Sequence, residues 1–549
     1  MPIEPTFDSY RSPVLATRGM VASSQPLASQ AGLSILMQGG NAADAAVATA
    51  AALNVTEPTS TGIGGDCFAL FYEAATGEVT ALNGSGRAPA ALTIELIRRQ
   101  GLANGDEIAD PFHPHCVTVP GACAGWADLV EQHGAMPLSI VLAPAIRLAE
   151  EGFPVAPLTA HFWERGAARQ LAARGRELTL EGRGPAAGER FRNPGLARTL
   201  RAVAQGGRDA FYRGDIAAKI VATLEQYGGV MSPGDLAAHT STWDAPISTV
   251  YRGLRVWECP PNGQGLTALI ALNILEGFDL AALDPLGPER LHLIIESLRA
   301  AFADTRWHVA DPAFNPVPLE GLLSKSYAAQ RRALINRARA TLDTRHGSPV
   351  AGSDTVYFCV VDGQGNACSF INSNYMGFGT GIVPPGTGFS LQNRGHNFSL
   401  DPAHPNALAP GKRPYHTIIP GMLTRDAGAI GQSPLHELVG PFGVMGGFMQ
   451  PQGHVQVVVD LVDDGLDPQA ALNRLRLCLE PGRPDGRVAL EDGLPPDTAS
   501  RLAAMGHDVF TLGGYERAAF GRGQIIRREP DGVLWGGSDP RADGCAMGF

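Results

Sequence analysis

The sequence predicts an α+β sandwich in which strands from both ends of the chain enclose a helical middle. Three observations lead there. Strand-like runs rich in β-branched and aromatic residues occupy 62–84 and return from 355 onward. Between about 120 and 345, apolar residues recur at i, i+3 and i+4. The 67 glycines and 42 prolines are spread throughout, which indicates many tight turns and no disordered linker. At 549 residues and 44% hydrophobic, the chain needs two domains or one large layered unit.

In chain order, residues 20–56 read as a strand followed by the helix NAADAAVATAAALNV, with Asn41 as N-cap and apolar residues on nearly every face, so the helix is expected to be buried. GIGGDCFALFYEAATGEVTALNG (62–84) reads as a glycine turn and a hairpin. That turn has no following Lys-Ser/Thr and opens a strand, so no phosphate cradle is expected. The segments 137–152, 192–207, 215–229 and 288–309 read as amphipathic helices, several closing at glycine. A basic helix over 328–345 and the weakly structured HGSPVAGSD (346–354) follow. Then come the strands TVYFCVVD (355–362), ACSFINSNY (367–375), GFSLQNR (388–394), HTIIPGMLTRD (416–426) and GPFGVMGG (440–447), a late helix near 466–478 and closing strands.

Several function classes are excluded. A net charge of −11 without a run of basic residues argues against nucleic acid. The N-terminal MPIEPTFDSYRSPVLATRGM lacks the basic start and apolar stretch of a secretion signal. The apolar run 42–55 falls short of the roughly 20 residues that span a bilayer. The expectation is a soluble, cytoplasmic protein with no membrane partner. Eight scattered cysteines (67, 116, 123, 259, 359, 368, 478, 545) show no C-x-x-C spacing and read as core fillers. His113 and His115 flank Pro114 with no further ligand at metal-site spacing, so neither metal nor cofactor is expected.

Asp354-Thr355 raises the chemical question. From the residues alone, Thr355 is a β-branched residue opening a strand. A threonine hydroxyl becomes a useful nucleophile when it is residue one of a chain, because its own α-amine, with a reference pKa of about 7.7–8.0, then serves as base. Inside a chain this requires self-cleavage ahead of Thr355.

The long segment GMVASSQPLASQAGLSILMQGGNAADAAVATAAALNVTEPTSTGIGGD (19–66) resembles the γ-glutamyltranspeptidase family of N-terminal-nucleophile (Ntn) hydrolases. GRAPAA (86–91), VPGACAGW (119–126), APAIRLAEEGFPV (143–155), FYRGDIAAKIV (211–221), CPPNGQG (259–265), ADTRWHVADP (303–312) and GSDPRADGCAMG (537–548) extend the likeness in the same order. TVYFCVVDGQGNA (355–367) matches the family's nucleophile strand without a gap. The resemblance implies a four-layered αββα sandwich built from two autoprocessed fragments, a large region 1–354 and a small region 355–549 that together form one folded unit. It implies cleavage between Asp354 and Thr355, Thr355 as nucleophile, Gly446 and Gly447 as the oxyanion hole, and Ser373 as the hydroxyl supporting the nucleophile.

At the positions where the family grips a γ-glutamyl donor, this chain departs from the pattern. The matching residues are Ser85, Tyr375 and Asn397, and a serine pair is replaced by His416 and Thr417. Arg87 and Arg394 are candidate replacements for the carboxylate anchor, while nothing replaces the ammonium anchor. DPAHPNALAPG (401–411) is shorter than the family's lid. The expected activity is cleavage of a small amide, γ-glutamyl-type or related, by hydrolysis or acyl transfer. The alternatives are an oxamate-type or glutaryl/cephalosporin-type amidohydrolase, and a catalytically silent relative. Expected partners are the small-molecule amide and the two processed fragments for each other, with a homo-oligomer left open.

Overall fold

The molecule is described from a computed structural model, over residues 11–173, 175–342, 354–430 and 433–549. Its organising helix is Ala42–Thr56. The Asn41 side chain accepts from the backbone N–H groups of Ala43 and Asp44, and Asp44 accepts the Asn41 N–H, forming a capping box that satisfies the first turn. All fifteen residues of the helix are buried. It lies between helix Pro26–Met37 and the strands Asp354–Val361 and Ala367–Tyr375. The helix pair approaches closely at Gly32, where a Cβ would come within 2.2 Å of Thr49 Oγ1 and 3.0 Å of the Ala45 carbonyl.

Two seven-stranded sheets dominate. The order in sheet I is Cys545–Gly548, Met20–Ser23, Asp354–Val361, Ala367–Tyr375, Asp66–Glu73, Glu78–Gly84, Thr242–Asp244. The order in sheet II is Val14–Ala16, Leu534–Ser538, Arg522–Arg528, Ser433–Met445, Gly421–Ile430, Leu254–Glu258, Ile247–Tyr251. Both sheets therefore take strands from either side of the Asp354-Thr355 bond. Asp354–Val361 packs against Ser433–Met445 and Arg522–Arg528, so the sheets face one another. Helix Met449–Val462 packs on Ser433–Met445 and on Gly265–Leu275, which in turn covers Pro288–His308. One large apolar cluster joins helix 42–56 to sheet I through Val47, Leu53, Phe68 and Phe358. A second joins Leu266, Ile270, Leu298, Phe442 and Val458 on the far side.

Several expected elements take a different form. The helix over 137–152 is interrupted at Leu142, giving Leu138–Val141 and Ala143–Glu151, with Pro144 opening the second piece. The helix from Pro194 runs to Tyr212 but changes direction at Gly207, whose φ of 60 is outside the helical range. The basic helix is Lys325–Ala333 and stops there. Asn336 Oδ1 then caps a turn by accepting the Ala338 N–H, and Ala340 N–H binds the Met505 carbonyl. GFSLQNR joins no ladder, because its backbone pairs with scattered partners: Leu391 with Thr380 and Ile382, and Gln392 with Gly64. The late helix is only Pro468–Asn473, while the longer Met449–Val462 precedes it. Among the described residues no helix is long and apolar enough to cross a membrane.

Gly32→Ala is expected to lower stability by about 1–3 kcal/mol by forcing the two N-terminal helices apart. A thermal melt that matched the parent would mean that the helix pair yields at no cost.

Candidate active site

Thr355 sits at a register irregularity in sheet I, where Asp354 pairs with Tyr375 and Val356 with Asn372. Its side chain is fully buried. The neighbouring strand brings Ser373 Oγ to 3.1 Å from Thr355 Oγ1. Ser373 Oγ also accepts the Tyr375 N–H (2.9 Å) and an Arg394 Nη2 donor (3.1 Å). Gln450 Nε2 lies 3.4 Å from Thr355 Oγ1 and its Oε1 is fixed by the Ile419 N–H.

Arg394 occupies a short 3₁₀ turn, Arg394–Asn397, fully buried. Its backbone N–H is held by Gln392 Oε1, and Nη1 donates to Thr417 Oγ1 at 2.6 Å. The guanidinium lies 4.3 Å from the centre of the Tyr375 ring. Burial pulls its pKa down to about 10, against the attraction of Asp66. Its Nε–H is buried without a hydrogen-bond partner. Tyr375 adopts φ 78, a left-handed conformation rare for an aromatic residue, and its hydroxyl donates to Asn397 Oδ1 at 2.6 Å.

His416 is tied to Asp66. Its Nδ1 accepts the Ile418 N–H, which leaves the proton on Nε2, 3.1 Å from Asp66 Oδ2. The other carboxylate oxygen accepts the backbone N–H groups of Gly86 and Gly121. Burial raises the Asp66 pKa to about 7, with Arg394 and the two N–H groups opposing. Burial also holds His416 well below the usual imidazole value.

Gly446 and Gly447 form the turn into helix Met449–Val462, with φ of 135 and 60, positions that suit glycine. Their carbonyls accept the N–H groups of Met449 and Gln450. Gln264 Nε2 spans the Gly447 carbonyl (2.8 Å) and the Thr417 carbonyl (2.6 Å), fixing the glycine turn to the loop that carries His416 and Thr417.

Of the residues singled out in the sequence, Thr355, Ser373, Tyr375, Arg394, Asn397 and Thr417 form one connected network. His416 adjoins it through Asp66, and the glycine pair through Gln264 and Gln450. Ser85 stands apart, donating to Asn83 Oδ1 while its carbonyl accepts from Arg413. Arg87 donates to the Thr240 carbonyl and is partly exposed. Asp66, Gln264 and Gln450 were not anticipated. Each lies inside or just beyond a glycine motif, GIGGD, NGQG and MGGFMQ, and that adjacency was the available signal.

Two cavities flank the network. One of about 220 Å³ is lined by Glu107, Arg306, Asn397, His404 and Tyr415. The other, about 600 Å³, is lined by Arg165, Arg169, Met376, Gly446 and Tyr515.

Residues 28–549 match the family model described as Gamma-glutamyltranspeptidase. The chain is 38% identical to the glutathione hydrolase-like YwrD proenzyme of Bacillus subtilis strain 168, over 98% of this chain and 99% of that protein. It is 35% identical to the oxamate amidohydrolase proenzyme of Klebsiella pneumoniae, over 97% and 99%. A solved cephalosporin acylase from Bacillus halodurans superimposes with a TM-score of 0.91 at 48% identity, covering 100% of this chain and 99% of that one. A family match over nearly the whole chain and relatives of this length place the protein in the γ-glutamyltranspeptidase family, whose members include hydrolases and acylases.

Proposed function

We propose that this protein is a self-processing Ntn amidohydrolase whose donor is a small amide bearing a carboxylate close to the scissile carbonyl. The observation that carries the reading is the placement of Arg394: a single hydroxyl, Ser373, links its guanidinium to Thr355 Oγ1. A carboxylate one or two bonds from the attacked carbonyl falls within reach of that guanidinium, whose Nε–H has no protein acceptor. Positions 375 and 397 themselves supply no carboxylate to an α-ammonium, and the Tyr375 hydroxyl and Asn397 Oδ1 are bonded to each other. An oxamate-like donor fits this balance of groups better than a γ-glutamyl donor.

In the proposed sequence, Thr355 Oγ attacks the Asp354 carbonyl, the peptide bond rearranges to an ester, and water hydrolyses it to leave Thr355 as an N-terminus. The freed α-amine takes the Thr355 hydroxyl proton as Oγ attacks the donor amide. The tetrahedral oxyanion is stabilised by backbone N–H groups at Gly446-Gly447, where the start of helix Met449–Val462 adds a favourable dipole. The proton passes from the amine to the leaving nitrogen, and water, or an amine acceptor in the transfer reaction, resolves the acyl-Thr355 ester. The facing sheets, with helices 42–56 and 449–462 on their outer sides, support the four-layered αββα reading assembled from regions 1–354 and 355–549. A reducing compartment such as the cytoplasm suits eight cysteines that are all free.

The cavity lined by Arg306 and Asn397 favours a second donor class, a longer acyl group with a distal carboxylate such as glutaryl. The likeness to a cephalosporin acylase supports an acylase reading in general.

Intact-mass analysis of purified active protein should give fragments of about 37 and 20 kDa, scaled at roughly 105 Da per residue. Thr355→Ala should remain a single chain of 57.7 kDa without activity. Active full-length protein would defeat the mechanism. Arg394→Lys keeps the charge but loses the planar fork. It should lower kcat/KM for oxamate by about tenfold to a hundredfold more than for a neutral amide, which shares only the loss of the Arg394–Ser373 bond. An equal loss on both substrates would remove Arg394 from donor recognition, and a preference for glutaryl amides over oxamate would select the second class.

A further inference from the structure

Away from Thr355, three titratable side chains converge on the far side of sheet II. His292 and Glu296 stand one turn apart on helix Pro288–His308, a spacing that sets both on one face. His507 follows helix Pro496–Ala504. All three are buried, with exposures of 0%, 2% and 3%. One ligand-type atom from each lies within 4.8 Å of the others.

The hydrogen bonds fix where the protons are. The Asn336 carbonyl is 2.8 Å from His292 Nε2, so that nitrogen carries a proton and Nδ1 carries a lone pair. His292 Nδ1 in turn lies 2.8 Å from His507 Nε2, which must therefore donate to it, and His507 Nδ1 is left buried with no partner. Glu296 Oε2 accepts the Thr341 N–H at 3.0 Å, while Oε1 is buried without a hydrogen bond. The nearest cation, Arg299, has its Nε 3.5 Å from Oε1, but its terminal nitrogens donate to the carbonyls of Pro484 and Gly486. Buried polar atoms without partners are uncommon and call for an explanation.

We propose that this cluster is a binding site for a divalent first-row cation, with Zn²⁺ the best match to two imidazoles and a carboxylate. The ligands are His292 Nδ1, Glu296 Oε1 and His507 Nε2, the last after its proton moves to Nδ1. The two imidazole nitrogens are 2.8 Å apart, a hydrogen-bond distance, and would separate by about half an ångström to sit as adjacent ligands on one tetrahedral ion. His292 already has the outer arrangement of a metal-binding histidine, its second N–H held by a backbone carbonyl. A groove of about 560 Å³ is lined by Leu293, Arg337, Ala338 and Met505, chain neighbours of the three side chains, although none of the three lines it. Two ligands precede residue 354 and one follows it, so the ion would join the N-terminal and C-terminal parts of the chain.

The test uses full-length purified protein stripped with a chelator, dialysed, and titrated with Zn²⁺ or Co²⁺ alone. The expected results are uptake of about one ion per molecule, visible d–d absorption of bound Co²⁺, and a raised melting temperature. Glu296→Gln and His507→Gln should each weaken uptake by more than about tenfold. Neither variant should alter amide hydrolysis measured without added metal. A wild-type protein that gives no Co²⁺ absorption and no stoichiometric uptake overturns the proposal whether or not the variants fold. Variants that bind as tightly as the parent overturn it too.

Discussion

The structure depends on how the strand Asp354–Val361 is held. It is paired with Ala367–Tyr375 on one side and with Met20–Ser23 on the other, and its faces are covered by helix 42–56 and by sheet II. Thr355 lies at the mouth of this ladder, at the register irregularity, where its backbone is anchored by the strand that follows and its hydroxyl meets Ser373. The ladder sets the position of Thr355, and the loops carrying Arg394, Thr417 and Gly446-Gly447 provide its surroundings.

A buried guanidinium constrains those surroundings. Removing Arg394 from water costs several kcal/mol, and that cost is offset by Asp66, by the hydroxyls of Ser373 and Thr417, and by the face of Tyr375. The same compensation ties Tyr375 and Asn397 to the buried cation as a set. Tyr375 supplies a ring for the cation, its left-handed backbone sets the ring over Arg394, and Asn397 satisfies the Tyr375 hydroxyl. Changing one of these residues alone would leave a buried group unmatched.

The sequence showed the larger outline and missed what depends on distant partners. Helix 42–56 was legible because its cap and its composition agree. The hairpin 66–84 and the strands 354–361 and 367–375 were legible from their period. Helix Met449–Val462 was not, because VQVVVDLV is β-branched and tertiary packing overrode its local preference. GFSLQNR has a strand's composition but lacks a neighbouring strand to complete a ladder. Within the site, family likeness drew attention to Arg394 and Tyr375 one at a time. That they stack, and that Asp66 and Gln450 stand beside them, follows only from the fold. A carboxylate in a glycine turn and a glutamine after a glycine pair have no distinctive signature of their own.

The interleaving of strands has a consequence for molecularity. Each sheet mixes segments from before and after residue 354, so neither part of the chain contains a complete sheet. In the uncut chain these segments meet as one molecule, at the high effective concentration that a covalent link provides. After a cut at that point, unfolding would yield two separate chains, and refolding would become a second-order event that weakens on dilution. Folding before cutting would make the mature form easier to keep than to rebuild, so its persistence would rest on the height of the unfolding barrier.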